Sequence, residues 1–176
     1  MHEKKLSARL AAMAGFVDMG ESLADIGADH GYLPIYLVRK GTSPFAILTD
    51  VQPGPLEKTR DSAARAGIEK QDPRIEFRLG DGLSALQDSE VDVVVIAGMG
   101  GETIKSILEN SPGKAQSFRK YILQPRTKSQ ALKAWLADAG WVIQNETSAE
   151  ERGRVCDIII VVPPEPPQKK CKYVPA

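Results

Sequence analysis

Apolar runs that suit buried strands alternate along the chain with segments whose apolar residues recur every three or four positions. The runs predict strands covered on both faces, and the periodic segments predict amphipathic helices. The predicted strands are Ser22–Ile26, Phe45–Thr49, Arg74–Leu79, Val91–Ala97, Arg119–Leu123, Trp141–Thr147 and Val155–Val162. The predicted helices are Lys5–Val17, Tyr32–Arg39, Pro55–Ala66, Glu102–Glu109 and Ser129–Ala139. Because no helical pattern separates the last two strands, we expect them to form an antiparallel pair.

This order of elements predicts an α/β fold with a mostly parallel sheet and an antiparallel final strand. The antiparallel finish distinguishes the pattern from a dinucleotide-binding half, which continues with parallel units. A chain of 176 residues is the size of one domain, and we expect that domain to span residues 1–162. The tail, residues 163–176, is rich in proline and polar residues, which predicts an extended or disordered segment.

Composition narrows the class of protein. The 23 Lys and Arg residues balance the 23 Asp and Glu residues, so the net charge of +0 does not by itself indicate a nucleic-acid partner. No apolar run approaches the roughly 20 residues that span a bilayer, and the first residues lack the apolar core of a signal peptide. Two cysteines give neither a disulfide framework nor a metal quartet. We therefore expect a cytoplasmic protein that uses no membrane and no metal.

A glycine turn follows the first predicted strand and carries ionisable side chains. Gly27 allows the backbone to approach a ligand, and the amides of the helix that follows suit a carboxylate or a phosphate. Asp29 and His30 stand where a dinucleotide-binding turn carries small residues. The turn therefore predicts reactive groups at the mouth of a nucleotide-like site.

Polar or glycine clusters end four consecutive predicted strands: Asp25–Asp29, Asp50, Asp81-Gly82 and Gly98–Gly101. Any one of them is an ordinary turn or helix cap. Together they indicate a ligand site, because the carboxyl ends of parallel strands meet at one edge of a sheet.

Each cluster has a physical role in binding a nucleoside. Asp50 follows Gly27 by 23 residues, a spacing typical of acids that bind ribose hydroxyls. Asp81 can accept a hydrogen bond from an adenine amino group, and Gly98–Gly101 leaves a bare surface where a substrate can approach the cofactor. The turn lacks a Gly-x-Gly-x-x-Gly pattern, which disfavours NAD.

Five short segments carry a resemblance to a known family. They are Leu6-Ser7-Ala8-Arg9-Leu10, Asp25-Ile26-Gly27-Ala28-Asp29-His30-Gly31-Tyr32-Leu33-Pro34, Gly80-Asp81-Gly82-Leu83, Ile96-Ala97-Gly98-Met99-Gly100-Gly101 and Leu123-Gln124-Pro125. Over residues 6–162 the chain resembles the bacterial tRNA adenine-22 N1-methyltransferase family. The combination of Asp-His-x-Tyr-Leu-Pro with Ala-Gly-Met-Gly-Gly is specific, and an antiparallel last strand is the usual finish of that fold.

The resemblance implies a Rossmann-like class I methyltransferase fold and S-adenosylmethionine as cofactor. It also implies that the chain is an RNA-binding protein whose partner is tRNA. It implies that Asp29 is the acid at the methyl-transfer site, with His30 and Tyr32 beside it. Either Tyr32 or the Gln124-Pro125-Arg126 loop could receive the target base. The implied cofactor contacts are Arg9, Asp25, Gly27, Asp50, Asp81, Gly82, Ala97, Gly98, Met99 and Gly100.

Family members usually continue into a helical C-terminal domain that helps to hold tRNA, and this sequence ends at Ala176 without one. The chain is then either a catalytic domain or a naturally short form. Three alternatives stay open: a methyltransferase for small molecules or proteins, an NAD-binding oxidoreductase, and a cofactor-binding scaffold without activity. The oligomeric state also stays open. A basic face for RNA could come from Lys4, Lys5, Arg9, Arg119, Lys120, Arg126, Lys128 and Lys133, although charge alone favours ordinary solvated helix faces.

Overall fold

A mixed sheet forms the centre of the domain in a computed structural model that describes residues 5–164. Its seven strands in that range are β1 (Leu23–Ile26), β2 (Ala46–Asp50), β3 (Ile75–Leu79), β4 (Val93–Met99), β5 (Lys120–Pro125), β6 (Val142–Glu151) and β7 (Arg154–Val162). They lie in the order β3-β2-β1-β4-β5-β7-β6. β1 to β5 are parallel, whereas β7 is antiparallel to both β5 and β6. The predicted α/β class, with a mostly parallel sheet and an antiparallel final strand, is confirmed.

Helices cover both faces of the sheet. Over residues 5–164 they are α1 (Ala8–Ala14), α2 (Tyr32–Arg39), α3 (Pro53–Arg65), α4 (Gly101–Glu109), α5 (Pro112–Ala115) and α6 (Ser129–Asp138), with a 3₁₀ turn at Gly82–Ala85. Buried residues of α1, α2 and α3 share one apolar cluster, and those of α4, α5 and α6 share the other. The domain therefore has three layers.

Side-chain alternation along the strands divides the core between the two helical layers. On β4, Val93 and Val95 pack with α1–α3, whereas Val94 and Ile96 pack with α4–α6. All four side chains are fully buried. This explains the near-continuous apolar run of the strand, since a strand covered on both faces needs no polar positions.

Two predicted boundaries were wrong at the ends of the domain. α1 is shorter than Lys5–Val17 at both ends: Ser7 caps its start with a hydroxyl that accepts from the N–H of Leu10 at 3.4 Å, and Gly15 forms its C-cap. β6 continues beyond Thr147 to Glu151, where it pairs with β7 up to the turn at 152–153. The distal half of β6 is mostly exposed. Main-chain pairing rather than burial therefore defines this part of the hairpin.

The strand order reverses between β1 and β4, which creates a crevice at the carboxyl edge of the sheet. In open α/β sheets ligands bind in the crevice at such a switch point. The loops after β1 and β4 flank this crevice. The glycine turn at 27 and the glycine loop at 98–101 therefore lie on its two sides. The predicted tail falls almost wholly on residues 165–176, outside the described residues.

Candidate active site

The turn after β1 brings its backbone against the end of β4. Gly27 has φ +69°, and a Cβ atom at this position would collide with Cε of Met99. Asp29 has φ +29°, in a region that costs a non-glycine residue about 1–3 kcal/mol. The hydroxyl of Thr59 donates to the carbonyl oxygen of Asp29 at 3.0 Å and helps to hold this backbone. The positive φ therefore favours glycine at position 27, and a larger residue there would also displace the end of the Met99 side chain.

The three residues predicted to act in catalysis lie together at the start of α2. The side chain of Asp29 is 78% exposed, and its Oδ2 is 3.8 Å from Nε2 of His30. The rings of His30 and Tyr32 stack with centroids 5.1 Å apart and planes inclined by 13°. Nδ1 of His30 is buried and has no hydrogen-bond partner among the described residues. The turn thus joins an accessible carboxylate to a pair of parallel rings.

Asp25 is a buried acid on β1, and Arg9 of α1 lies close enough to influence it. Burial raises the pKa of Asp25 to about 7, against the opposing effect of the Arg9 guanidinium. Arg9 itself donates from Nε to Oε2 of Glu151 at 2.8 Å and from Nη1 to Oε1 of Gln124 at 3.1 Å. Arg9 therefore reaches the site, but two of its donors are used inside the protein.

The acids after β2 and β3 carry charge without a cationic partner. Oδ1 of Asp50 accepts from the N–H of Gln52 at 2.9 Å, as expected for a turn. Asp81 is exposed directly before the 3₁₀ turn, and Gly82 beside it is buried. Across residues 5–164 neither carboxylate forms an ion pair with lysine or arginine. Both can therefore accept hydrogen bonds from a ligand.

The loop after β4 begins with a bulge. In the pairing of β4 with β5, Ala97 lies opposite Gln124 and Met99 lies opposite Pro125, so Gly98 has no partner in the register. Gly98 has φ +73°, and no atom lies within 4 Å of the position where its Cβ would be. The carbonyl oxygen of Met99 accepts from the N–H of Arg126 at 2.7 Å, which ties this loop to the loop after β5.

A cleft of about 1790 Å³ connects these elements. Typical small-ligand sites occupy roughly 300–1,000 Å³, so this cleft has room for more than one group. Twelve of the thirteen predicted site residues line it: Arg9, Asp25, Gly27, Asp29, His30, Tyr32, Asp50, Asp81, Gly82, Ala97, Gly98 and Met99. Gly100 is not among the lining residues and forms the N-cap of α4.

Two further residues of the cleft have contacts that the sequence-based prediction missed. Gln124 was predicted to lie in a loop that could receive the target base, but it is a buried residue of β5, and its amide oxygen accepts from both Arg9 and the N–H of Gly98. Glu151 was placed outside any element, because the polar stretch before it carries no strand pattern. Both act through partners more than 25 residues away, a relation that local patterns do not contain.

The candidate basic residues do not form one face. Arg119 and Lys120 lie at the amino end of β5, where Arg119 pairs with Asp92 and Lys120 pairs with Glu21. Lys133 pairs with Glu146. The cations that line the cleft are Lys5, Arg9, Arg39, Arg65, Arg126, Arg152 and Arg154. Lys4 lies outside the described residues.

Residues 5–164 contain neither a metal-binding cluster nor a membrane-spanning helix. No group of three or more His, Cys, Asp or Glu side chains in that range could hold a metal ion. Nor is any helix there long and apolar enough to cross a membrane. The cleft at the carboxyl edge is therefore the candidate site.

A family model described as a methyltransferase domain matches residues 6–159, and the chain belongs to that family. Among curated relatives, the tRNA (adenine(22)-N(1))-methyltransferase of Bacillus subtilis (strain 168) is 34% identical over 160 residues. That alignment covers 91% of this chain, which spans 66% of the relative's length. The resemblance predicted from the motifs is thereby confirmed.

Solved structures agree with this assignment. Sp1610 of Streptococcus pneumoniae, solved in complex with S-adenosyl-L-methionine, is 36% identical with a TM-score of 0.84, covering 95% of this chain and 77% of that one. TrmK of M. capricolum, in complex with S-adenosyl-homocysteine, is 28% identical with a TM-score of 0.80, covering 95% of this chain and 73% of that one. The Rossmann-like methyltransferase fold is therefore shared with both proteins.

Proposed function

We propose that this chain transfers a methyl group from S-adenosylmethionine to N1 of an adenine in tRNA, at position 22 as the Bacillus subtilis relative's name indicates, in the cytoplasm. One observation carries the proposal. The turn that presents Asp29 and the open glycine loop at Gly98 face the same cleft at the switch point of the sheet. The reaction is inferred from the names of the relatives, and the cleft is the site where we place it.

The residues present fit the cofactor. Gly27 and Gly98 leave backbone exposed where a nucleoside sulfonium would lie, and the space above Gly98 is open. Asp50 at the end of β2 is placed to bind the ribose hydroxyls, and Asp81 at the end of β3 to accept from the adenine amino group. When bound, S-adenosylmethionine supplies an electrophilic methyl group on a positively charged sulfur.

Asp29 is the residue that we assign to the chemical step. Neutral adenine N1 already carries a lone pair, so no base has to remove a proton before it attacks. The methylated ring is cationic, and a carboxylate beside the base edge stabilises the charge that develops there. The strained backbone of Asp29 and the bond from Thr59 keep that carboxylate at the mouth of the cleft. Holding the two reactants in line accounts for much of the remaining acceleration.

The stacked rings of His30 and Tyr32 provide a surface for the target base. A base in folded RNA must leave its stack before its Watson–Crick edge is reachable. Stacking on an aromatic side chain is worth about 1–3 kcal/mol per base, which offsets part of that cost. Because the rings follow Asp29 directly, a base stacked on them lies next to the carboxylate.

Arginines at the rim are suited to the RNA backbone. Arg126, Arg152 and Arg154 line the cleft, and none of them forms an ion pair within residues 5–164. Unpaired arginine side chains bind phosphates and release the counterions condensed on them. The net charge of the chain is +0, so this contribution is local to the rim.

The decisive experiment incubates the chain with isotope-labelled S-adenosylmethionine and an unmodified tRNA transcript that carries adenine at position 22. We expect label in 1-methyladenosine at that position after nuclease digestion and nucleoside mapping. A matched transcript with guanine at position 22 is the control and should remain unlabelled.

Two results would overturn the proposal. Label at a different atom or position in the tRNA would refute the assigned reaction. Binding of S-adenosylmethionine without any transfer to tRNA, with the full-length Bacillus subtilis relative active in the same assay, would refute tRNA as the substrate of this chain.

A further inference from the structure

The bulge in β4 removes a ladder hydrogen bond at the start of the glycine loop that lines the cleft. The register of β4 with β5 skips Gly98, whose N–H therefore lacks a strand carbonyl on that side. The side chain of Gln124 replaces it, since Oε1 accepts from the N–H of Gly98 at 3.1 Å. A side-chain amide thus completes the sheet at its functional edge.

The amide oxygen of Gln124 accepts two hydrogen bonds in this position. Gln124 is 2% exposed, and Oε1 also accepts from Nη1 of Arg9 at 3.1 Å. Its Nε2 donates to the carbonyl oxygen of Pro125 at 3.0 Å. An amide oxygen has two lone pairs, and here both are used.

The hydrogen bonds continue from Gln124 to α1 and to the β6–β7 hairpin. Arg9 belongs to α1, and Glu151 at the end of β6 holds its guanidinium at 2.8 Å. Glu151, Arg9, Gln124 and Gly98 therefore form one series of bonds from the hairpin and the first helix to the glycine loop.

We propose that Gln124 is a positioning residue, which fixes the backbone of the Gly98–Gly100 loop in the shape required for cofactor and substrate to meet. The inference rests on the proposed function, since it assigns the loop to methyl transfer. Gln124 acts through Gly98 and touches neither reactant. An amide suits the position because it supplies an acceptor for Gly98 and Arg9 and a donor for Pro125 at once.

Three variants test the role of each group. Gln124→Met keeps the length of the side chain and removes both polar atoms. Gln124→Glu keeps an acceptor oxygen for Gly98 and Arg9 and loses the donor to Pro125. Lys120→Met is the matched control, because it breaks a half-buried ion pair at the opposite end of the same strand.

The first measurement is amide hydrogen exchange in the absence of any ligand. We expect the Gly98 amide to exchange about 5- to 100-fold faster in Gln124→Met than in the unaltered chain, as is typical when a buried hydrogen bond is lost. The amide of Val94, in the middle of β4, serves as the internal reference for global stability. Gln124→Glu should restore most of the protection of Gly98, and Lys120→Met should leave the ratio of Gly98 to Val94 unchanged.

The second measurement is calorimetric binding of S-adenosylmethionine, together with the rate of tRNA methylation. Gln124→Met should weaken binding about tenfold and slow transfer by at least as much, with partial rescue in Gln124→Glu. Lys120→Met should bind the cofactor like the unaltered chain.

The outcomes separate this inference from the proposed function. Equal acceleration of Gly98 and Val94, or unchanged cofactor affinity in Gln124→Met, overturns the positioning role and leaves the proposed function intact. If the unaltered chain fails to bind S-adenosylmethionine, the proposed function is overturned, and the role of Gln124 in methyl transfer is overturned with it. Selective loss of Gly98 protection together with weaker binding supports both.

Discussion

The two edges of the sheet use their charged residues in opposite ways. At the amino edge the charges are paired: Asp92 accepts from Arg119 at 3.1 Å, and Lys120 lies 2.7 Å from Glu21. At the carboxyl edge, Asp50 and Asp81 have no cationic partner within residues 5–164. Paired charges serve the fold, whereas unpaired ones remain available to a ligand. The unpaired acids favour the carboxyl edge as the functional one, although Arg9 and Glu151 also form an ion pair there.

The pKa values of two aspartates express the same contrast. Asp25 near the carboxyl edge has its pKa raised to about 7 by burial, with only partial compensation from Arg9. Burial also acts to raise the pKa of Asp92, but hydrogen bonds from Ser22 and the Arg119 guanidinium outweigh it and lower the pKa. One acid is stabilised in its neutral form and the other in its charged form.

The largest effect that we predict is therefore a difference between Asp25 and Asp92 in how their contributions to the free energy of unfolding depend on pH. The native pKa of Asp25 lies above its unfolded value of 3.8, so the native state binds more protons between about pH 4 and pH 7. The stability from Asp25 is fully present below pH 4 and is lost as pH rises through 7. The free energy of unfolding lost over this pH range is about 4 kcal/mol, because the pKa shift of roughly three units corresponds to 1.36 kcal/mol per unit. Asp25→Asn should remove this decline, measured as the free energy of urea unfolding from pH 4.5 to 8.

Asp92→Asn is the counterpart at the other edge. The pKa of Asp92 is lowered in the native state, so its contribution is present above its unfolded pKa and is lost as pH falls. The variant should lose stability at neutral pH and little at acidic pH. If both variants show the same pH dependence, the contrast between the two edges is refuted.

Asp29→Asn should slow methyl transfer by about 100- to 1000-fold, the usual effect of removing one electrostatic contact to a transition state. Asparagine tolerates the left-handed backbone at this position, so the turn should keep its shape. Single-turnover transfer to the tRNA transcript measures the rate, and calorimetry should show unchanged affinity for S-adenosylmethionine. An unimpaired rate would remove Asp29 from the mechanism.

Gly27→Ala should weaken cofactor binding by about tenfold, because the new methyl group would displace the end of the Met99 side chain, which lines the cleft. Gly41→Ala is the matched control at the amino edge: its φ is +73° and no atom lies within 4 Å of its Cβ position. Each substitution should cost about 1 kcal/mol of stability from backbone strain. Only Gly27→Ala should change the affinity measured by calorimetry, and equal affinities would contradict the packing at the turn.

The smallest predicted effect concerns RNA binding. Arg126→Gln should weaken binding of tRNA a few-fold at physiological salt and lower the salt dependence by about one phosphate contact. Arg119→Gln removes an arginine of the paired edge and should change neither quantity. Filter binding at several salt concentrations measures both, and equal slopes for the two variants would argue against the rim as an RNA contact.

The sequence predicted the parts of the molecule that rest on local patterns. Strands such as β4 and the turn at Gly27 have period and composition that reveal them directly. The short helix α5 was missed, because four residues after Pro112 are too few to show a helical period. The extent of β6 was missed, since the residues before Glu151 are polar on both sides.

The residues of the candidate site likewise fall into those with a local sequence pattern and those without one. Candidate residues that stand on their own turn, such as Asp29 and Asp50, can be predicted from their position after a strand, and the family resemblance adds the chemical role proposed for Asp29. The role of Gln124 depends on a bulge in a neighbouring strand and on Arg9, which is 115 residues away in the chain. No local pattern encodes such a relation, and the structure was needed to find it.

The clasp between Arg9 and Glu151 joins residues that are 142 positions apart in the chain. While the protein is being synthesised, this ion pair therefore cannot form until almost the whole domain has left the ribosome. Until β7 is made, Tyr121–Leu123 of β5 present an apolar, unpaired edge to the surroundings. A chain that stalls before this hairpin is made would expose a surface that favours aggregation, because the edge of β5 stays uncovered until β7 pairs with it.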